Sequence, residues 1–387
     1  MVHPAKRQCT GYFCLSLSVF NSLQTSKRLA TPTLKKRVRV SLEHTNFLLI
    51  PVLGKLFEKL INKRLIDFMD KTTKIDKNQF GFQKKSSTDT ALVQVVHNIN
   101  KYLDQGEYVL VLFIDLRKAF DLVDHSTLLE ILEELGCRGL VLKLLTSYLS
   151  NRKVSTCLQG MTSDLLTLQD GVPQGSVLGP TLYLLYINSL RYLQTKGMQT
   201  IYADDTCFIY HSKNSQSLES GVKSDINLYL KWLQGSRLVM NVAKTNYIIF
   251  RSSRKPDINV NITVNNKKIN RVQSTKYLGV CLDEKLNWSE HIENVRKKID
   301  PLIGAVRRCP KFNNDTRQLV FNGHFLSKLR PNLLIWSICN REIINKAQVL
   351  INRALKAIYR LDWFTSQNEL IEITNTYSLD QLILLER

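Results

Sequence analysis

Three aspartates carry the chemistry this chain offers most plainly. Asp115 closes an unbroken apolar run, Val109-Leu110-Val111-Leu112-Phe113-Ile114, which has the length and character of a strand buried on both faces. Asp204 and Asp205 stand between Thr200-Ile201-Tyr202 and Thr206-Cys207-Phe208-Ile209-Tyr210. Those two β-prone arms predict a hairpin with the acidic pair at its tip. Asp favours turns and strand ends on its own account, so Asp115 alone means little. Two like charges at a hairpin tip are harder to dismiss, because they repel. Carboxylates are hard oxygen ligands, and several brought together need cations to neutralise them. The two acidic sites therefore suggest a shared pair of Mg2+ ions, the arrangement that stabilises the attacking and leaving oxygens in phosphoryl transfer.

Positioning these groups takes a sizeable framework, and 387 residues can bury one, as two or three domains or one multi-lobed fold. Leu53, Leu56, Phe57, Leu60, Ile61, Leu65 and Phe68 recur at helical spacing and predict an amphipathic helix over 52–69. A second helix is expected over 88–104, stopped by Gly106 just before the Asp115 strand. Helices then follow at Leu128–Leu135 and Leu140–Leu149, separated by Gly136 and Gly139. Residues 153–169 read as β, and the cluster Gly171-Val172-Pro173-Gln174-Gly175-Ser176 leads into an apolar helix over 177–192. Past the acidic hairpin come a helix with Leu218, Val222, Ile226, Leu230 and Leu233 on one stripe, the strand Tyr247-Ile248-Ile249-Phe250, and a hairpin region at 258–283. The last hundred residues are helical and basic, with Arg296, Lys297, Lys298, Arg307, Arg308 and Lys311. Residues 1–45 hold eight Lys/Arg and no acidic residue before Glu43, and read as a disordered basic extension.

Composition narrows the class. Hydrophobic content of 44% and aromatic content of 9% are those of a globular protein. A formal charge of +21 favours a polyanionic partner, nucleic acid ahead of an acidic membrane surface. The eight Cys show no C-x-x-C pair and no zinc-like spacing, and Cys207 and Cys281 lie in apolar runs, as reduced core thiols would. No run approaches the roughly 20 apolar residues of a membrane span. Residues 11–20 mimic the short apolar region of a signal peptide, but the basic stretch after them and the reduced-looking cysteines point to an intracellular protein, nuclear or cytoplasmic and not secreted.

The strings FIDLRKAFDLVDH (113–125), GVPQGSVLGPTLYLLYIN (171–188), YADDT (202–206), MNVAKT (240–245) and YLGVCLDEKLNWSEHI (277–292) occur in the order found in reverse transcriptases. With NQFGF (78–82) upstream, residues 50–387 resemble the reverse transcriptase domain of jockey-like non-LTR retrotransposons. The resemblance implies an α+β right-hand polymerase: fingers over 46–108, a palm of mixed or antiparallel sheet packed on helices over 109–285 with finger insertions at 122–170, and a helical thumb over 286–387. It implies RNA-directed DNA synthesis with an RNA template, a DNA or RNA primer, dNTPs and two Mg2+ ions, or Mn2+ in their place. Oligomeric state is left open.

By the same resemblance Asp115, Asp204 and Asp205 are the metal carboxylates, and the backbone at Leu116 and Arg117 meets the triphosphate. Phe120 matches the steric gate, a flat ring that leaves no room for a 2′-OH; its plainer reading is core packing. Gln174 and Gly175 match the loop along the templating base pair, where glycine permits close approach and the amide offers contacts. That loop also reads as a helix N-terminus capped by Ser176. Lys244 matches the lysine that approaches the leaving pyrophosphate as a general acid, with a solvated lysine as the competing reading. Tyr277-Leu278-Gly279 resembles the primer-grip hairpin, and Trp288 and His291 open the thumb, where Trp288 equally suits a core.

Departures from the family pattern are informative. Asn46-Phe47-Leu48-Leu49-Ile50 replaces Arg-Pro-Ile-Ser, Gln83 stands for an expected Arg, Lys85-Ser86-Ser87-Thr88 for Gly-Arg-Ser-Thr, and Ser189 for the usual Asp. With no upstream endonuclease in the sequence, the chain reads as a truncated copy of such an element. Two activities stay open: an RNA-directed DNA polymerase, or a catalytically impaired nucleic-acid-binding remnant of the same fold. Phe120 disfavours an RNA-copying RNA polymerase.

Overall fold

The computed structural model describes residues 25–29, 47–49, 52–72, 75–158, 161–309, 312–338 and 340–386. Strands β1 (Thr25–Leu29) and β2 (Phe47–Leu49) precede helix α1 (Val52–Thr72). Helix α2 (Thr88–Asp104) starts at a capping box: the Ser87 Oγ accepts the Thr90 amide at 3.2 Å, and the Thr90 Oγ1 accepts the Ser87 amide at 2.8 Å. Gly106, at φ +71°, turns the chain into β3 (Tyr108–Ile114). All seven residues of β3 are buried, as its continuous apolar run requires.

Helix α3 (His125–Glu134) begins three residues earlier than its apolar periodicity indicates, because the Asp124 carboxylate caps it by accepting the Thr127 amide at 2.8 Å. Helix α4 (Leu140–Leu149) leads to β4 (Arg152–Leu158), β5 (Met161–Thr162) and β6 (Leu166–Leu168). The apolar helix expected over 177–192 is shorter: α5 spans Gly179–Ile187 and tightens into a 3-10 turn over Asn188–Tyr192. Pro180, in the first turn of α5, has no amide to contribute and suits only the start of a helix. Strands β7 (Met198–Tyr202) and β8 (Asp205–Ser212) form the acidic hairpin, followed by α6 (Ser215–Gly235) and β9 (Asn246–Phe250). The short strands β10 (Thr263–Val264), β11 (Lys267–Lys268), β12 (Asn270–Arg271), β13 (Ser274–Tyr277) and β14 (Val280–Asp283) precede α7 (Ser289–Arg308), and helices continue to Glu386.

These elements fall into two compact units, and the chain passes between them repeatedly. The first takes the chain up to Phe82 with Asp115–Thr195 and Asp225–Asn241; the second takes Gln83–Ile114, Lys196–Ser224 and Val242–Arg387. Units assembled from separated segments leave no linker for composition to reveal.

In the first unit β1 pairs antiparallel with β2 and parallel with β4, which also carries β5 and β6. Thr25–Leu29 is thus a strand, contrary to the disorder expected of 1–45. Its sequence has no strand pattern, and the partner strands supply the pairing. The rest of 1–45, including the apolar stretch 11–20, lies outside the described residues. Helix α5 is buried around its whole circumference, which explains its unbroken apolar character.

In the second unit the five-stranded sheet has the order β12-β9-β3-β8-β7. Only the β12–β9 pair is parallel, so the sheet is mixed, as expected. Ala91, Leu92, Val95 and Ile99 of α2 are fully buried where that helix packs on β7, β3 and β8. Cys207 and Cys281 are buried free thiols, in keeping with their apolar surroundings.

Trp288 and His291 both prove to be core residues, at 3% and 6% exposure. The Asp283 carboxylate organises the turn before them, accepting the amides of Lys285 at 3.0 Å, Asn287 at 3.2 Å and Trp288 at 2.9 Å. The Cys281 amide donates to the His291 Nδ1 at 3.4 Å, which fixes a neutral ring. Burial, with a smaller push from Lys298, lowers the His291 pKa from 6.5 to about 4. The unfolded chain therefore takes up this proton first. His291 stabilises the fold fully above pH 6.5, and that contribution is lost as pH falls toward 4. The loss is on the order of 3 kcal/mol. Urea unfolding between pH 7 and pH 4 checks this, since His291→Gln should flatten the acid side of the profile. An unchanged slope in the variant would remove His291 as its source.

Candidate functional site

The acidic hairpin is closed tightly. Tyr202 pairs with Asp205, leaving Ala203 and Asp204 as a two-residue loop. Ala203 has φ +57° and Asp204 does not share the positive φ, the pattern of a type II′ turn, whose first loop position normally holds glycine. An alanine there is strained, and such strain gathers at functional sites. Asp204 is half-buried in the loop, while Asp205 is exposed as the first residue of β8. The register pairs Ile114 with Thr206, so β3 ends at the same end of the sheet as the hairpin turn. Asp115, half-buried, is the next residue after Ile114.

Beyond Asp115 the chain finds a second partner. The Asp115 carbonyl accepts the Asn241 amide at 2.8 Å, and the Arg117 amide donates to the Val239 carbonyl at 2.8 Å. Leu116 and Met240 face each other between these bonds. This pairing gives the MNVAKT string a structural task, which is to hold the segment that follows Asp115. Leu116 is 8% exposed, and Arg117 and Lys118 are exposed. The Arg117 amide is thus engaged by Val239, and the turn that follows begins at Lys118, which has φ +43°. Lys244 is exposed in the turn before β9.

Phe120 is half-buried and braced by aromatic rings. Tyr183 stacks on it with centroids 4.3 Å apart, and Phe82 meets it edge-on at 6.1 Å. Its ring is thereby fixed in orientation without being enclosed. The neighbouring Gly/Pro loop is pinned to the same segment. The Val172 amide donates to the Phe120 carbonyl and the Gly171 amide to the Val123 carbonyl, each at 2.8 Å. His125 Nε2 and the Gly171 carbonyl are 2.8 Å apart, and the Gln174 side-chain Nε2 donates to the Asp121 Oδ1 at 3.2 Å.

Gly175 has φ +90° at the third position of a turn in which the Ser176 amide donates to the Pro173 carbonyl at 3.2 Å. That is the type II pattern, and glycine is the residue it calls for. Ser176 is indeed a capping group, its Oγ accepting the Gly179 amide at 2.8 Å. At the tip of the turn Gln174 is half-buried and Gly175 exposed.

Two polar anchors around the site escaped the sequence reading. Asp124 accepts Ser126 Oγ at 2.5 Å as well as the Thr127 amide, and its Oδ2 meets Arg237 at 2.5 Å. Burial works to raise its carboxyl, but the Ser126, Thr127 and Arg237 contacts together hold it below the ordinary carboxylate value. The Asp-His-Ser-Thr string is a recognisable cap signal and would have located it. Glu58 of α1, buried at 2% exposure, had no such signal. The Ser189 hydroxyl accepts the Trp232 indole N–H at 3.0 Å. The Gln83 carbonyl accepts the Ser86 amide at 3.4 Å. Among the described residues no three or more His, Cys, Asp or Glu are already gathered as a metal-holding group, and no helix is long and apolar enough to cross a membrane.

The second unit's mixed sheet, packed on α2 and ending in an acidic two-residue turn, is polymerase-palm-like. The chain belongs to the reverse transcriptase (RNA-dependent DNA polymerase) family, whose model matches residues 43–282. Its sequence is 29% identical to the RNA-directed DNA polymerase from mobile element jockey of Drosophila melanogaster, covering 82% of this chain and 35% of that one. It is 28% identical to the probable RNA-directed DNA polymerase from transposon X-element of the same fly, covering 83% and 36%. The chain thus spans about a third of the length of these relatives. Among solved structures, apo telomerase from Candida tropicalis is 14% identical with a TM-score of 0.46, over 82% of this chain and 54% of that one.

Gly171 is the tightest joint in the loop. It has φ +89°, and a Cβ there would lie 2.8 Å from the Asp121 carbonyl oxygen. Gly171→Ala should cost about 2–4 kcal/mol from left-handed strain and overpacking together. Denaturant unfolding measures it, and a cost below about 0.5 kcal/mol would show that the two backbones separate freely.

Proposed function

We propose that this chain is the polymerising part of a retrotransposon reverse transcriptase, extending a DNA or RNA primer on an RNA template with dNTPs. The observation that carries the reading is the β3–β8 register, which ends β3 beside the strained hairpin and leads the chain directly into Asp115. Asp115, Asp204 and Asp205 are then the ligands of two Mg2+ ions, for which Mn2+ is a substitute. Their oxygens are the hard donors such ions prefer, and all three retain some exposure. Bound there, the ions supply charge stabilisation for the attacking 3′-oxygen and the departing pyrophosphate.

The chain's own residues do the rest. The backbone at Leu116 and the turn from Lys118, with the Arg117 side chain, receive the triphosphate. Phe120, held flat by Tyr183, walls off the sugar 2′ position. Gln174 and Gly175 present a rigid turn to the templating base pair, and Lys244 protonates the leaving pyrophosphate. Basic helices of the last hundred residues follow the duplex backbone, and the protein works inside the cell, in nucleus or cytoplasm.

A second reading, a nucleic-acid-binding remnant with impaired turnover, is favoured by one substitution. Gln83 stands where the family's Arg would offer a charge-assisted contact worth on the order of 1.5–3 kcal/mol. Extension of oligo(dT) on poly(rA) with Mg2+ separates the two. The first reading expects extension that falls at least about a hundredfold in Asp204→Asn, the scale of losing a preorganised electrostatic partner. Tight template–primer binding with no extension in either protein would establish the second.

Phe120→Val should relax the choice of sugar by on the order of tenfold or more while largely sparing dNTP use, since only the wall against the 2′-OH is cut back. Parallel single-nucleotide incorporation of dNTP and NTP measures this. Unaltered discrimination would assign Phe120 to the core.

A further inference from the structure

The Pro173–Ser176 turn is held at its front by Gln174 on Asp121 and by Gly171 on His125, yet its rear is held by a carboxylate from a distant helix. Glu58 on α1 places Oε2 2.6 Å from the Val177 amide, and its Oε1 accepts the Tyr148 hydroxyl at 3.1 Å. The Leu178 amide also points at this carboxylate, and the Tyr148 hydroxyl is within reach of Ser176. Glu58 is 2% exposed and Arg152, whose guanidinium lies over the Tyr148 ring at 4.9 Å, is 5% exposed. A buried carboxylate costs several kcal/mol of desolvation and persists only where its partners need it.

The partners here are the amides at the approach to α5, which no residue of that helix can satisfy. Val177 is half-buried, and Val172, Pro173, Ser176, Leu178 and Gly179 around it are buried, which limits water as a substitute. The carboxylate also faces the positive end of the helix dipole. Burial pushes the Glu58 carboxyl up, and the Val177 amide, the Tyr148 hydroxyl and the Arg152 charge pull it back.

We propose that Glu58 is a positioning residue, clamping the Pro173–Ser176 turn from behind so that Gln174 and Gly175 stay set for the incoming nucleotide. This rests on the polymerase reading of that turn. Truncating Glu58 to Ala would strand the Val177 amide and an uncompensated Arg152, and would confuse folding with positioning. Glu58→Gln keeps the volume but offers only one acceptor oxygen. Glu58→Asp keeps the charge opposite Arg152 but withdraws it by one methylene from Val177.

Two measurements on the full chain test the clamp. Hydrogen exchange over residues 171–185 needs no activity: both variants should exchange there at least about tenfold faster, with the sheet of β3, β8 and β9 as the unaffected internal reference. Primer extension should then show the KM for dNTP raised about five- to twentyfold with kcat within about twofold, the pattern of lost ground-state positioning. Unchanged exchange in either variant overturns the proposal, as does faster exchange with KM and kcat both unaltered. A parent protein that extends no primer counts against the polymerase reading instead, and the exchange result alone then decides whether Glu58 holds the turn.

Discussion

Everything near the proposed site depends on one strand being buried on both faces. β3 contributes seven apolar residues between β8 and β9, and with its polar backbone groups paired on both sides it has no freedom to slide. Its end is therefore a fixed point. The acidic turn is fixed against it through the β8 ladder, and the segment after Asp115 is caught at once by Val239 and Asn241. A charged constellation tolerates little error in position, and a dry, fully paired strand is the part of a protein least able to introduce any.

Within the first unit, directed polar contacts add to backbone hydrogen bonds and ring packing in holding the loops after Asp115. Asp121, Asp124 and His125 each reach out from the stretch after Asp115 to a different partner, namely Gln174, Arg237 and Gly171. Each contact is worth only about 1–3 kcal/mol, and each adds to the backbone bonds that already tie these loops together. The aromatic group of Phe82, Phe120 and Tyr183 works in the same spirit, orienting a ring while leaving part of it accessible. Function of the kind proposed needs surfaces that are both exposed and rigid, and short directional contacts to backbone supply that combination.

How far the sequence reveals this depends on how local each cause is. β3, α2 and the acidic hairpin were legible because their signals lie within a dozen residues: an apolar run, a cap with an apolar stripe, two β-prone arms about a short turn. The Gly175 turn was legible for the same reason. Lys244 and Phe120 were singled out through resemblance and the aspartates first by their place at strand ends, and the structure places each without deciding its role. What sequence could not yield were pairings between distant segments. Thr25–Leu29 becomes a strand because β4 lies beside it, and β12 joins the sheet parallel to β9 through two residues. Glu58 meets partners 90 and 119 positions away. The two compact units, stitched from alternating segments, have no boundary that composition could mark.

The tight closure of the acidic hairpin has a consequence for how such a sequence changes over time. Because side chains alternate along a strand, the spacing between Met198 and Ser212 decides which ones face the core. Exchanging one residue for another at an exposed position there leaves every neighbour where it was. Adding or losing a single codon swaps the two faces of one arm, and because both faces of β7 and β8 are largely buried, each core side chain then meets the wrong neighbours. The Ala203-Asp204 loop has no spare residue to absorb the shift. This stretch therefore tolerates point substitution far better than any change of length, so in a drifting copy the reading of the hairpin ends with its first small insertion or deletion.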